Sequence, residues 1–212
     1  MKEVKIGKQI WMAENLNIDK FNNGEPIPQI KTNREWINVC NNKQPAWCYY
    51  DNNAAFGKIS GKLYNFYAIC GPKSLIPNGW RIPNEKDWFI LLNYLGKSIE
   101  KEAAIKLKST KGWNANGDQR GNGNNSTGFT ALPGGWRNHD QEDTIFSFQE
   151  KRILHSFQDI GSVAAWWFLN RTTNNGGQPG VFQIDDYNRE SLFELKKNTS
   201  IQCGYSVRLI KA

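Results

Sequence analysis

Gly79-Trp80-Arg81-Ile82-Pro83-Asn84-Glu85-Lys86-Asp87-Trp88 is the stretch whose reading decides how this chain folds. Pro83 disfavours helix at Ile82, which leaves the approach extended, and Asn84 is placed to cap the backbone N–H groups behind it. Asp87, three residues on, completes a capping-box pair, although Glu or Gln would be the better partner. Trp88, Leu91, Leu92 and Leu95 then recur at helical spacing, and Gly96 falls where a left-handed C-cap belongs. The spacing predicts a helix over 84–95 with one anchored, apolar face.

Outward from that helix, the pattern is one of short elements. Residues 4–12 (Val4, Ile6, Ile10, Met12) read as a first strand broken at Gly7. A short helix is expected over 32–37, capped by Thr32 or Asn33, and extended chain over 46–50. Residues 61–70 (Leu63, Tyr64, Phe66, Tyr67, Ile69) read as a short helix packed on at least two sides. Ser98 opens a second helical run with Ala103, Ala104 and Leu107 at helical offsets. Residues 112–128 are nearly all Gly, Asn, Asp and Ser around Trp113, which predicts a long surface loop. A strand over 129–135 ends at a Pro-Gly-Gly turn. Beyond it, apolar pieces at 145–148, 164–169, 181–184, 191–195 and 205–210 alternate with polar turns, the pattern of short antiparallel strands.

The composition agrees. A length of 212 residues with nine Trp, seven Tyr and eleven Phe suits one domain, 1–212, with a sizeable core. Twenty-five Asn and nineteen Gly supply tight turns in place of long helices. The class expected from the residues is therefore α+β. The net charge of +7 is spread among acidic neighbours, as at Glu150-Lys151-Arg152 and Glu194-Leu195-Lys196-Lys197. Nucleic-acid binders gather their cations on one face, so no nucleic-acid partner is expected. No apolar run approaches the ~20 residues of a membrane-crossing helix, and membrane insertion is not expected. The N-terminus passes straight into a strand pattern without an apolar signal region. Either an upstream export signal has been removed or the chain leaves the cytoplasm by another route. Cys40, Cys48, Cys70 and Cys203 match neither a zinc nor a thioredoxin spacing, though Cys40 and Cys48 could close a small loop if oxidised.

Seven blocks of the sequence resemble the Fibrobacter succinogenes major paralogous domain. They are Gly7-Lys8-Gln9-Ile10-Trp11-Met12-Ala13-Glu14-Asn15-Leu16-Asn17, Asn23-Gly24-Glu25-Pro26-Ile27-Pro28, Pro45-Ala46-Trp47-Cys48-Tyr49-Tyr50 and Gly61-Lys62-Leu63-Tyr64-Asn65-Phe66-Tyr67-Ala68. The stretch at 79–88 is the fifth, followed by Thr127-Gly128-Phe129-Thr130-Ala131-Leu132-Pro133-Gly134-Gly135-Trp136-Arg137 and Gly204-Tyr205-Ser206-Val207-Arg208. They run in order from 7 to 208. The resemblance implies an exported or surface-attached protein of Bacteroidetes and their relatives. It also implies a distant similarity to formylglycine-generating-enzyme and C-type lectin-like folds, with two to three short helices packed on small twisted antiparallel sheets and long loops on one face. Trp11, Glu14, Asn15, Trp80, Pro83, Trp88, Gly134, Gly135 and Arg137 are then scaffold. Two departures stand out: Ala164-Ala165-Trp166-Trp167-Phe168-Leu169-Asn170 replaces the family's usual Trp-Ser-Ser-Thr block, and Leu209 stands where many members have Cys.

No catalytic motif is present, and the expectation is that the chain is not an enzyme. His139 and His155 show no metal-ligand spacing and read as surface or turn residues; no local motif supports a Cys–His nucleophile. The formylglycine-generating relatives use paired redox cysteines near the C-terminal core, where this chain has only Cys203. Adjacent Asp185 and Asp186 would point to opposite faces of a strand. No cofactor is expected beyond calcium, for which Asp118 in the Asn-rich loop is the candidate ligand. The candidate ligand face is Trp166, Trp167, Asn170, Arg171, Asn174, Asn175, Asp185, Tyr187 and Arg189, which mix aromatic platforms with amides and charge. Of neighbours such as Trp166 and Trp167, a strand would turn one to the core and one to the surface. These residues imply a binding or adhesion module with a glycan or protein ligand at a cell or particle surface. The alternative is a structural decoration, tip or fibre subunit that co-assembles with other subunits of a phage or injection particle.

Overall fold

Short elements dominate because caps, prolines and glycines end each one within a few turns. The structure, a computed structural model, describes residues 1–96, 100–115, 121–139, 145–146, 151–152, 156–170, 177–186, 193–197 and 199–212. Strands β1 (Glu3–Ile6) and β2 (Gln9–Met12) form an antiparallel hairpin, so the break at Gly7 is a reversal of direction. Helix α1 (Asn33–Asn41) is capped by Thr32, whose hydroxyl accepts from Glu35 N–H while Glu35 accepts from the Thr32 amide. It outruns the expected 32–37 by one turn.

Next come β3 (Trp47–Cys48), a 3-10 turn at Tyr50–Asn52, α2 (Ala54–Ser60), β4 (Leu63–Tyr64), α3 (Phe66–Cys70) and β5 (Trp80–Arg81). The helix expected over 61–70 is thus corrected to a strand and a shorter helix. Leu63 and Tyr64 pair with Cys48 and Trp47, and the Asn65 side chain then caps α3 by accepting from Ala68 N–H at 3.0 Å. Helix α4 (Glu85–Leu95) has the limits its sequence demands. Asn84 Oδ1 accepts from Asp87 N–H at 3.0 Å, Asp87 Oδ2 accepts from Asn84 N–H at 2.7 Å, and Gly96 ends the helix at φ +88°. Helix α5 (Glu100–Leu107) follows.

The second half contributes β6 (Gly134–Arg137), β7 (Ile145–Phe146), β8 (Lys151–Arg152), β9 (Phe157–Ile160), β10 (Val163–Asn170), β11 (Gln178–Asp185), β12 (Phe193–Lys197) and β13 (Ile210–Lys211). The strand expected over 129–135 begins instead where it was expected to end. Gly135 sits at φ +63°, and a Cβ there would lie 2.3 Å from the Gln158 carbonyl oxygen, so glycine is what lets β6 pair with β9. The strand expected over 205–210 is confined to its last residue and Lys211. Gly204, Tyr205 and Ser206 instead make single bridges to Arg137, Tyr64 and Trp166, tying three sheets together.

The sheets are small and antiparallel. One has the order β1-β2-β13-β5, a second β10-β11-β12, and three are two-stranded pairs. With five helices among the described residues, the fold is α+β, with more helices than the two to three expected. Strand β10 lies between two cores. Ala164, Trp166 and Phe168 face a cluster with Trp11, Trp88, Leu91, Leu92, Phe129 and Phe182. Val163, Ala165 and Trp167 face the other way, onto Met12, Trp47, Tyr64, Trp80, Val181 and Leu209. A third cluster gathers Trp36, Cys40, Ala46, Cys48, Tyr50 and Leu63.

Candidate functional site

The stretch at 79–88 does more than start a helix. Arg81 and Asp87 stand on either side of Pro83, and the guanidinium forks onto the carboxylate: Nη1 to Oδ2 at 2.6 Å and Nη2 to Oδ1 at 2.8 Å. The same carboxylate caps α4, so one buried group fixes strand, turn and helix together. Asn170, at the end of β10, reaches this corner. Its Oδ1 accepts from Glu85 N–H at 3.0 Å and its amide donates to Glu85 Oε2 at 3.2 Å. Lys197 from β12 pairs with Glu85 Oε1 at 2.8 Å. Leu169 N–H donates to the Pro83 carbonyl at 2.9 Å, which seats β10 against the turn.

These contacts frame a groove of about 1050 Å³. Trp80, Ile76, Ile82 and Leu169 supply apolar surface; Arg81, Asn84, Glu85, Lys86, Asn78 and Asn170 supply polar groups. Its far wall, 74–79, is a turn-rich connection held by Asn22, whose amide donates to the Ile76 carbonyl at 2.6 Å. The groove can hold a ligand with both apolar and hydrogen-bonding faces, since Arg81, Asn84, Glu85 and Asn170 are already oriented by hydrogen bonds.

Of the residues read from sequence as a ligand face, Asn170 lies in this groove. Trp166 and Trp167 do not reach any surface: both are 0% exposed. The expectation that the pair divides between core and surface is therefore corrected, because β10 is covered on both faces. Trp166 Nε1 donates to Asn15 Oδ1 at 2.8 Å and Trp167 Nε1 to the Tyr64 carbonyl at 2.8 Å, so each indole also has its N–H satisfied inside. Asp185 is buried as well, and its Oδ2 accepts from Gln183 at 2.9 Å. Arg171, Asn174, Asn175, Tyr187 and Arg189, together with Asp118 and His155, lie outside the described residues. An uninterrupted apolar run, Val163 to Leu169, is what a strand buried on both faces looks like, and that signal was present in the sequence. The Arg81–Asp87 fork and the 74–79 wall had no comparable local signature.

The scaffold residues show why the rest is rigid. Trp11 packs on Trp88 with ring centroids 4.7 Å apart. Arg137 is fully buried, with Nη2 donating to the Thr32 carbonyl and Asn33 Oδ1 at 3.0 Å each, and its guanidinium 4.5 Å from the Trp36 ring centroid. Asn15 Oδ1 accepts from Arg208 Nε and Nη2 at 3.0 and 2.6 Å; Nη1 donates to the Met12 carbonyl at 3.1 Å. Burial pushes the Arg208 guanidinium below the usual Arg range, and exposed Glu14 opposes that shift. Lys108 is buried over the Trp113 ring at 4.2 Å; burial lowers its ammonium to about 8, with Asp186 and Asp185 pulling it back up. Trp113 itself is buried and donates to the Ala131 carbonyl at 2.9 Å, pinning a loop that composition alone assigned to the surface.

None of Cys40, Cys48, Cys70 and Cys203 is in a disulfide, so Cys40 and Cys48 do not close a loop. Among the described residues, no group of three or more His, Cys, Asp and Glu side chains is placed to hold a metal ion. No described helix is long and apolar enough to cross a membrane.

Fold and groove together define an α+β protein of small antiparallel sheets around a double-faced central strand. The chain belongs to the Fibrobacter succinogenes major domain family (Fib_succ_major), whose model matches residues 4–211. No curated protein and no solved structure matches it.

Proposed function

We propose that this chain is a non-enzymatic recognition module that binds a glycan at a cell or particle surface, in the groove between β5, the start of α4 and the end of β10. The observation that carries the reading is the groove's lining, in which aromatic and aliphatic surface lies beside amide, carboxylate and guanidinium groups held by mutual hydrogen bonds. Sugars present both C–H faces and hydroxyls, so preoriented polar groups beside apolar surface suit them. The described arrangement, short helices on small antiparallel sheets with β2 and β13 from opposite ends of the sequence paired, also supports a C-type lectin-like scaffold. The site needs no metal or cofactor in this reading, and neither nucleic acid nor a bilayer is its partner.

Glycan-array binding by the purified chain tests this. A triple substitution of Asn78, Lys86 and Asn170 to Ala is expected to weaken the retained glycan at least ~10-fold, equivalent to about 1.4 kcal/mol. Unchanged binding by a folded triple variant would remove the groove from the reading; an array with no retained glycan would remove the ligand class. A second reading, a structural subunit of a larger particle, is favoured by one feature. Ile90 and Tyr94, one turn apart on α4, are 42% and 63% exposed, a small apolar surface that another subunit could cover.

A further inference from the structure

The bridge between Arg137 and Gly204 brings an imidazole to a thiol. Arg137 N–H donates to the Gly204 carbonyl at 2.8 Å and Gly204 N–H returns the bond at 2.9 Å. The chain leaving β6 therefore runs antiparallel past the turn that closes at Cys203. His139 Nδ1 lies 3.6 Å from Cys203 Sγ, within hydrogen-bonding reach for sulfur. Cys203 is 4% exposed as a residue, but it closes a turn of half-buried residues, Ser200 to Gln202, and His139 is itself half-buried. A third group lies close by: the buried Tyr205 side chain, two positions on, whose phenol is raised by burial first and then by Cys203. Trp136 stacks on the Tyr205 ring at 5.6 Å and donates to Asp159 Oδ2 at 2.9 Å, so the phenol is held in place.

The other cysteines have different surroundings. Cys40 Sγ lies against the Gln202 carbonyl and the Asn65 amide, at 3.6 and 3.7 Å, and burial raises its thiol. Cys48 is fully buried and its thiol is pushed up to about 11. Cys70 is exposed as a residue, yet burial of its thiol pushes it to about 11. Only the Cys203 thiol is given an imidazole partner among the described residues. Sequence spacing could not show this, because the two residues are 64 positions apart and meet through a sheet bridge.

We propose that Cys203 is a nucleophilic thiol activated by His139 and that it exchanges with low-molecular-weight disulfides. His139 Nδ1 takes the thiol proton, giving a thiolate beside an imidazolium. The thiolate attacks one sulfur of the disulfide; a new S–S bond forms on Cys203 as the old one breaks. The departing thiolate leaves as a thiol with the proton from His139. Cys203 is oxidised to a mixed disulfide and half of the small disulfide is reduced, so the exchange balances without a further reactant. The neighbouring Tyr205 hydroxyl is raised well above the usual phenol range, by burial first and then by Cys203, so it stays protonated throughout. Titratable groups around the thiol include His139, Tyr205, Asp159 beyond Trp136, and Cys40 across the Gln202 carbonyl.

Mass-spectrometric rates of alkylation by iodoacetamide, resolved by cysteine in the folded chain, test the proposal, followed by treatment with bis(2-hydroxyethyl) disulfide. At about pH 7 Cys203 is expected to react at least ~10-fold faster than Cys40 and Cys48, and to take up the mixed disulfide. Its rate should rise less steeply with pH than that of Cys70, which should speed up roughly tenfold per pH unit until its own thiol ionises. His139→Asn should slow Cys203 by about 10-fold and restore that steep pH dependence, leaving Cys70 unchanged. A Cys203 no faster than Cys48, or a rate indifferent to His139→Asn, overturns the assignment. If His139→Asn fails to fold, the ultraviolet absorbance of thiolate in the unaltered chain at neutral pH decides. Its loss in Cys203→Ser supports the proposal and its absence from the start refutes it.

Discussion

Asn15 holds together residues that are almost two hundred positions apart. Its Oδ1 takes bonds from Trp166 Nε1 and from two nitrogens of Arg208, while its amide donates to the Ser60 carbonyl at 2.8 Å. A buried guanidinium has no carboxylate in that set, so carbonyl and amide oxygens carry the charge. Removing one of them leaves a desolvated cation short of partners, which costs more than a neutral bond. Asn15→Ala is therefore expected to lose about 3–5 kcal/mol in urea unfolding, near the cost of breaking a buried ion pair. A loss under about 1 kcal/mol would show that the remaining carbonyls suffice. Asn15 and Arg208 both belong to recognisable sequence blocks, but neither block says that they meet. Local sequence carries residue identity; the separation of 193 positions is closed by packing.

At the scale of elements, α4 was legible because every signal that sets its limits lies within a few residues. The cap, its return bond, the apolar face and the terminating glycine all act locally. Asn84→Ala is expected to lower stability by about 1 kcal/mol, the usual worth of an N-cap. Asp87→Ala should cost more, about 2–4 kcal/mol, because it removes the return bond and the Arg81 fork at once. Thermal unfolding of the two variants separates these values; equal losses would mean the fork adds nothing. The elements at 61–70, 129–135 and 205–210 were misjudged for the opposite reason. Their conformations are set by partners elsewhere: β3 for β4, β9 for β6, and Arg137, Tyr64 and Trp166 for the last segment. The groove shares that property, since Asn170 and the 74–79 wall come to the α4 corner from different parts of the chain.

Across the whole molecule, β10 is the element on which both large cores depend. Alternation along it sends Trp166 to one and Trp167 to the other. Trp166 stacks near Trp88 at 5.9 Å, and Trp167 meets Tyr205 edge-on at 4.9 Å. Trp166→Ala and Trp167→Ala should each cost about 3–5 kcal/mol, the range for deleting a buried large aromatic. Because one strand serves both cores, each variant is expected to unfold in a single transition, with tryptophan fluorescence and far-ultraviolet circular dichroism coinciding. Separated transitions would mean that the cores melt independently. The sequence by itself determined the α+β class, the helix at 84–95 and the family, because capping, periodicity and ordered motifs are local or linear properties. Only the tertiary structure decided that Asp87 binds strand and helix together, and that a groove and a Cys203–His139 contact exist. Those depend on which distant segments meet, and local sequence does not encode that.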